Sequence, residues 1–299
     1  MSQVQRQTER VNPASAGIDT WPDARILNAL LDGQVHAVLA LKPALPAIAR
    51  AANAVVERLQ AGGRLYYAGA GTSIRIAVQD GTELPATYNI AEEQLGYLIA
   101  GGQSAIFETL ADKEDSAADG AAAAQACGPR DVLISVAASG RTPYTISAAE
   151  TARAKGCFVI SVVNVQGSAL GKVGDVEVVL DTGPEVIAGS TRMGAGTAQK
   201  AALNLISTLA CIKLGGVHDG MMVAMRAENE KLKERAAVIV SDIAGVALAD
   251  AHAALAQAHE IKPAILLCAG AKSLADAQIL LSGTKGNLRL ALAQLHKKT

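Results

Sequence analysis

Aromatic residues and basic charge are both scarce in this sequence. Phenylalanine, tyrosine and tryptophan together make up 3% of the 299 residues, and 27 basic residues are balanced by 28 acidic ones. A nucleic-acid groove usually needs a basic excess or stripe, and single-stranded nucleic acid also needs aromatic rings on which bases stack. We therefore expect no nucleic-acid partner.

Patterns typical of disulfides and metal sites are missing as well. The four cysteines are widely separated, lie in apolar surroundings and form no CxxC pair. The five histidines show no HExxH or similar ligand spacing. These features predict reduced core thiols, no metal and a cytosolic location.

Long apolar runs are also absent. No such run reaches the roughly 20 residues that a membrane span requires. The start of the chain, MSQVQRQTERVNPAS, is polar and lacks the apolar stretch of a secretory signal. The sequence therefore predicts a cytoplasmic protein with no membrane partner.

What the sequence does contain is an alternation of short apolar runs and helical stretches. Half of the residues are apolar, which is enough for a sizeable core. Five runs predict strands that are covered on both faces, namely RLYYAGAG (64–71), GYLIAGG (96–102), DVLISVA (131–137), FVISVVN (158–164) and VEVVL (176–180). Helices are predicted between and after them, over 73–84, 104–126, 143–155 and 197–214. This alternation is typical of an α/β fold with a parallel sheet.

Three segments follow from this pattern. Residues 1–62 form a polar arm and helices, residues 63–218 form the α/β domain, and residues 219–299 lose the strand pattern and form a helical C-terminal region. Within the last segment, residues 263–269 are too short and apolar for an assignment.

Glycine and hydroxyl residues follow several predicted strands. The loops are Gly69–Ser73, Ala138–Pro143, Asn164–Ser168 and Gly189–Thr197. Free backbone N–H groups at a helix start favour an anion, and Ser or Thr hydroxyls add donors. The alternative is that these hydroxyls are ordinary helix N-caps. The chain has no GxxxxGK[ST] loop, and Ile74 takes the place of the third glycine of GxGxxG, so a monophosphate on a small polar body is expected.

The loops GAGTS and SVAASGRTP resemble the sugar isomerase (SIS) domain, an α/β/α sandwich with a five-stranded parallel sheet that binds phosphosugars. Further motifs, in the same order, resemble the N-acetylmuramic acid 6-phosphate etherase family over nearly the whole chain. They are TERVNP (8–13), DGTELPATY (80–88), LIAGG (98–102), EDS (114–116), EVIAGSTRMGAGTAQK (185–200) and NEKL (229–232).

The resemblance implies a cytoplasmic homodimer with shared active sites and without a metal or organic cofactor. It implies removal of D-lactate from N-acetylmuramic acid 6-phosphate in cell-wall sugar recycling, with Glu83 as the proton donor and Glu114 as the second catalytic residue. The residues expected to bind the phosphate and the sugar are Gly71, Thr72, Ser73, Ser139, Gly140, Arg141, Thr142, Ser190 and Thr191.

Three positions depart from the family pattern. Ile74 stands where the family usually has glycine, which we expect to put a bulky side chain beside the phosphate loop. Gly81 stands in DGTE where the family usually reads DASE, and Gly194 often corresponds to a lysine. We expect the last two to fall close to the reacting centre.

The expected chemistry needs two carboxyl groups in opposite protonation states. Ring opening exposes an aldehyde that acidifies the C2 proton, so one carboxylate removes this proton while a carboxylic acid protonates the departing lactate oxygen, and water then adds. Without the resemblance, Glu114 would be part of a solvated helix face and Glu83 a charged residue at a helix C-terminus, where the helix dipole is unfavourable to it. Two other functions stay open, a non-catalytic phosphosugar-binding regulator and a phosphosugar isomerase.

Overall fold

The computed structural model describes residues 9–108 and 110–297. Its backbone contacts divide the chain into two compact units, one made of residues 1–82 and 93–207 and the other of residues 83–92 and 208–299. The three-segment division stays an interpretation of the sequence.

The first unit contains a five-stranded parallel sheet in the order β2-β1-β3-β4-β5. The strands are β1 (Leu65–Gly69), β2 (Leu95–Ile99), β3 (Val132–Ala137), β4 (Phe158–Val163) and β5 (Val176–Val179). All residues of β1 and β3 are buried. This burial explains the continuous apolar runs, because helices cover both faces of a parallel sheet. The predicted fold class is confirmed.

Seven α-helices begin in the described part of the first unit, and two of them, α3 and α7, end in the second unit. They are α1 (Asp23–Leu39), α2 (Leu45–Gln60), α3 (Gly71–Tyr88), α4 (Ala117–Ala123), α5 (Pro143–Ala154), α6 (Ala169–Val173) and α7 (Gly194–Lys213). Helix α2 is amphipathic and buries Ile48, Val55 and Leu59. Helix α1 buries only Ala37.

The predicted helix over 104–126 is wrong. Its residues form short 3-10 turns at Gln103–Ile106 and Ala111–Asp115, then α4, then a 3-10 turn at Ala124–Ala126. Ser116 accepts a hydrogen bond from the backbone N–H of Asp119 and so starts a new helix. Helix α4 lies so close to the next helix that a Cβ on Gly120 would stand 2.2 Å from the carbonyl oxygen of Tyr144.

The second unit is mainly helical, as predicted for the end of the chain. Its helices are α8 (Glu230–Ala244), α9 (Leu248–Ala258), α10 (Ile261–Cys268), α11 (Leu274–Gly283) and α12 (Leu288–His296), beside a small antiparallel pair, β6 (Val217–His218) and β7 (Met221–Met222). Helix α10 covers most of residues 263–269, for which the sequence allows no assignment. It supplies fully buried Ile265 and Leu266 to a separate apolar core.

One helical stretch, residues 23–60, is long and apolar enough by length and composition to cross a membrane, within the residues that the structure describes. A 3-10 turn at Lys42–Ala44 interrupts it, and a third of its most apolar window is buried. A soluble core helix passes the same test.

Candidate functional site

The site lies where the direction of strand addition reverses. Strand β1 is hydrogen-bonded to β2 on one side and to β3 on the other, so the loops that follow β1 and β3 are neighbours at the carboxyl edge of the sheet. This point of an open parallel sheet is the usual place for a ligand.

A cavity of about 410 Å³ opens there. Its volume falls within the range of small-molecule sites, which is roughly 300–1,000 Å³. It is lined by seven of the residues named from the sequence: Gly71, Thr72, Ser73, Glu114, Ser139, Thr142 and Thr191. The two SIS-type loops and Glu114, one of the two expected catalytic glutamates, therefore meet in a single cavity.

Glu114 lies directly against the start of helix α3. Gly71 has a φ of +53°, and a Cβ added to it would stand 2.9 Å from Oε1 of Glu114, so only glycine fits there. Burial raises the pKa of the Glu114 carboxyl above its usual value, the charge of Asp115 raises it further, and Arg75 lowers it. A raised pKa suits a carboxyl group that must both accept and release a proton near neutral pH.

One hydroxyl group in the cavity, that of Thr142, differs from a true helix cap. Ser168 and Ser116 each accept a backbone hydrogen bond at the start of α6 and α4. Thr142, at the corresponding place before α5, makes no such bond. The cap interpretation therefore fails for Thr142.

Three of the expected binding residues do not line the cavity. Gly140 has a φ of +62°, and a Cβ there would stand 2.3 Å from Oγ of Ser168, so its position in a tight turn accounts for the glycine. The exposed Arg141 guanidinium lies 3.4 Å from a carboxylate oxygen of Glu9. The backbone N–H of Ser190 donates to the carbonyl oxygen of Ile187. Their part in binding stays a prediction.

The start of helix α7 already has an anion of its own. The backbone N–H groups of Gly194 and Ala195 donate to the two carboxylate oxygens of Glu185, at 2.8 and 2.9 Å. Glu185 is only 5% exposed. The sequence predicts that the start of α7 could bind a phosphate, but the Glu185 carboxylate already occupies these N–H groups and interacts with the helix dipole.

Glu83 lies on α3 and is exposed. It comes twelve positions after Gly71, which is about 18 Å along a helix axis. It does not line the cavity that contains Glu114.

Sequence reasoning missed three charged residues in the cavity wall: Glu9, Arg75 and Glu108. Arg75 donates to the carbonyl oxygens of Ala105 and Glu108, at distances of 2.8 to 3.3 Å, and so builds the wall from the loop after β2. The sequence contained a signal for Arg75, because this residue follows Gly71 by one helical turn. A cation so close to a helix start of phosphate-binding type is a candidate for the same site.

Charged side chains of both signs line the cavity, namely three glutamates and Arg75. The Arg75 guanidinium already donates to backbone carbonyl oxygens. Neutral donors therefore supply most of the polar lining. Within residues 9–108 and 110–297, no group of three or more His, Cys, Asp or Glu side chains is arranged to hold a metal ion.

The three departures have local explanations. Ile74 lies beside the phosphate loop as expected, with its Cβ 3.3 Å from the position of a Cβ on Gly69, but it is fully buried and does not line the cavity. A Cβ on Gly81 would stand 2.7 Å from Oη of Tyr97 and 2.8 Å from Cε2 of Tyr67. A Cβ on Gly194 would stand 3.0 Å from Glu185.

The chain is similar to known proteins over most of its length. A SIS domain model matches residues 38–164. An N-acetylmuramic acid 6-phosphate etherase of Deinococcus radiodurans is 42% identical over 292 residues, covering 97% of this chain and 96% of that protein. One from Symbiobacterium thermophilum is 48% identical over 229 residues, covering 76% of this chain and 75% of that protein.

A solved structure from Bacteroides fragilis, described as a candidate phosphosugar isomerase involved in capsule formation, aligns with a TM-score of 0.53. It is 18% identical and covers 67% of this chain and 95% of its own. At that identity the likeness concerns the fold alone.

Proposed function

The chain belongs to the N-acetylmuramic acid 6-phosphate etherase family, and we propose that it cleaves the D-lactyl ether of N-acetylmuramic acid 6-phosphate. The products are N-acetylglucosamine 6-phosphate and D-lactate. It is an enzyme, a lyase of amino-sugar metabolism. The observation that carries the proposal is the position of Glu114, a carboxyl group with a raised pKa against a loop of phosphate-binding type.

The phosphate is bound by neutral donors in this proposal. The hydroxyls of Thr72, Ser73, Ser139 and Thr142 line the cavity at the start of α3 and beside α5. Free N–H groups in the first turn of a helix and its dipole favour a phosphate oxygen. This arrangement anchors the sugar by its 6-phosphate and leaves the rest of the ring facing the wall that contains Glu114.

Glu114 then removes the C2 proton of the open-chain sugar. Electron flow expels the lactyl oxygen from C3, and this oxygen takes a proton from Glu83, which gives D-lactate and an unsaturated aldehyde. In the second half, Glu83 removes a proton from water as the hydroxyl adds to C3, and Glu114 returns the proton to C2. Each acid–base step contributes roughly 10²–10⁴-fold to the rate.

A second subunit supplies Glu83 in this proposal. Glu83 does not line the cavity of Glu114, so both groups reach one substrate if two copies of the chain share their sites. A symmetric dimer provides two such shared sites, because a twofold axis repeats each contact.

Helix α1 offers a surface for this assembly. Its apolar residues Leu27, Leu31 and Val35 are 64%, 60% and 52% exposed. Its polar residues Arg25, Asn28, Asp32 and His36 instead line a second cavity in the first unit. An exposed apolar helix face is typical of an interface with another protein. The same face of α1 in a second copy of the chain could pack against it through apolar contacts.

The reaction belongs to recycling of the bacterial wall in the cytoplasm. None of the described cysteines forms a disulfide, and Cys127, Cys157 and Cys211 are buried, in keeping with a reducing compartment.

Incubation with N-acetylmuramic acid 6-phosphate tests the proposal. We expect free D-lactate in stoichiometric amount, with ¹⁸O from the solvent in the C3 hydroxyl of the sugar product. Sugar binding without lactate release would instead indicate a regulator. Interconversion of an aldose and a ketose phosphate with the C3 substituent retained would indicate an isomerase.

A further inference from the structure

Glu83 lies in the weakest turn of helix α3. Gly81 and Pro85 flank it within two residues on either side. Glycine is a poor helix former, and proline has no N–H, so the carbonyl of Gly81 loses its usual helical donor. The Thr82 hydroxyl also donates to the carbonyl oxygen of Val78 at 2.8 Å, a contact that bends helices. Local preference therefore does not hold this turn in place.

A buried carboxylate comes immediately before the weak turn. Asp80 is 5% exposed and accepts three hydrogen bonds from neutral groups. Oη of Tyr67 on β1 donates at 2.8 Å, and Nδ2 of Asn204 and Oγ of Ser207, both on α7, donate at 2.6 and 2.8 Å. Within the described residues, no Lys, Arg or His nitrogen lies within 4 Å of this carboxylate.

Burial of the Asp80 carboxylate without a cation costs free energy. A carboxylate without a cation loses its hydration on burial, and only strong hydrogen bonds compensate for that loss. An apolar side chain at this position would avoid the cost of burying a charge, but without directional bonds it would fix the rotation of α3 about its axis less sharply. Three directional bonds to two different elements fix that rotation.

Gly81 adds a second constraint at the same turn. The parallel rings of Tyr67 and Tyr97, with centroids 5.9 Å apart, lie against it, and any side chain would collide with them. The backbone of α3 is therefore held against the rings on the side where Asp80 is bound.

We propose that Asp80 is a positioning residue that orients the turn of α3 carrying Glu83. The inference rests on the proposed function, because it assigns Asp80 a role through Glu83. Asp80 does not line the cavity, so the loss of its bonds leaves phosphosugar binding intact and slows the chemical step.

The test compares Asp80→Asn with the exchange variant Asp80→Asn/Asn204→Asp, in the full-length protein. The first variant keeps the size of the side chain and loses the carboxylate. The second restores a carboxylate–amide pair with the two groups exchanged. Gln79→Ala, an exposed change on the same helix, is the matched control. The measurements are kcat and KM for lactate release, affinity for N-acetylglucosamine 6-phosphate, and amide hydrogen exchange of residues 82–88.

We expect Asp80→Asn to lower kcat about 10²-fold, the scale of a small misplacement of a reacting group. KM, the affinity for N-acetylglucosamine 6-phosphate and the hydrogen exchange of the cavity loops stay unchanged. The hydrogen exchange of residues 82–88 becomes faster. The exchange variant recovers most of kcat. The proposal is overturned if kcat is unchanged in Asp80→Asn, or if the exchange variant recovers the hydrogen-exchange protection of residues 82–88 without recovering kcat. If the wild-type protein releases no lactate, the proposed function fails instead, and the exchange of residues 82–88 still reports whether Asp80 orders that turn.

Discussion

The carboxyl group of Glu114 occupies the space that a side chain at residue 71 would need. Oε1 of Glu114 lies 2.9 Å from the position of a Cβ on Gly71, at the first residue of α3. The proposed acid–base group thus lies directly against the helix start that is proposed to bind the phosphate. This closeness supports the proposal that one cavity holds the phosphate and performs the proton transfer beside it.

Replacement of Glu114 by glutamine removes proton transfer and leaves the cavity its shape. We expect lactate release to fall by roughly 10²–10⁴-fold. The affinity for N-acetylglucosamine 6-phosphate stays within a few-fold in titration calorimetry. Asp112→Asn is the control, since Asp112 lies two residues away, is exposed and does not line the cavity. Normal turnover in Glu114→Gln would contradict the assignment.

Shared active sites predict that two inactive variants rescue each other. Glu83→Gln and Glu114→Gln are each inactive alone. When they are mixed, unfolded and refolded together, half of the dimers are mixed, and each mixed dimer has one intact site, so activity recovers to about a quarter of wild type. No recovery in a mixture that mass spectrometry shows to contain mixed dimers would place Glu83 outside the shared site.

The pH dependence of the reaction reports the surroundings of Glu114. The base must be ionised, so kcat/KM rises with pH through the pKa of the Glu114 carboxyl. Burial is the main cause of the raised pKa, and the charge of Asp115 is the second. Asp115→Asn removes the second cause, which lowers this pKa and moves the acidic limb of the pH profile to lower pH. Asp112→Asn leaves the limb in place, and an unmoved limb in Asp115→Asn would argue that another group titrates.

Gly81→Ala tests the tyrosine contact. The new methyl group would stand 2.7 Å from Oη of Tyr97, which forces the ring or the helix to move. Overpacking of this kind costs about 1–3 kcal/mol of unfolding free energy. Gly128→Ala is the control, because its Cβ would have an ordinary contact at 3.6 Å with Asp131. Urea unfolding measures both variants, and adding Tyr97→Leu should recover part of the loss in Gly81→Ala.

Leu31→Glu tests the α1 surface. A charge in the middle of an apolar interface lacks a partner, so we expect the protein to become monomeric in analytical ultracentrifugation and to lose lactate release. Leu290→Glu alters a similarly exposed leucine of α12, 54% exposed against 60% for Leu31, and leaves the assembly unchanged. A dimer that persists in Leu31→Glu would show that another surface joins the subunits.

The sequence by itself determined the α/β architecture and the loops that form the cavity. Parallel strands are buried on both faces, so β1 and β3 appear as continuous apolar runs. Glycine and hydroxyl residues directly after those runs must lie at the carboxyl edge of the sheet. These properties are local, and the chain order alone predicts them.

Only the tertiary structure decided which of those groups are available to a ligand. Ser168 and Thr142 look alike in sequence, yet Ser168 caps a helix and Thr142 does not. The start of α7 is satisfied by Glu185, nine residues before it. The partners of Asp80 come from residues 67, 204 and 207. Hydrogen-bond partners and burial depend on contacts between distant segments, and no local pattern encodes them.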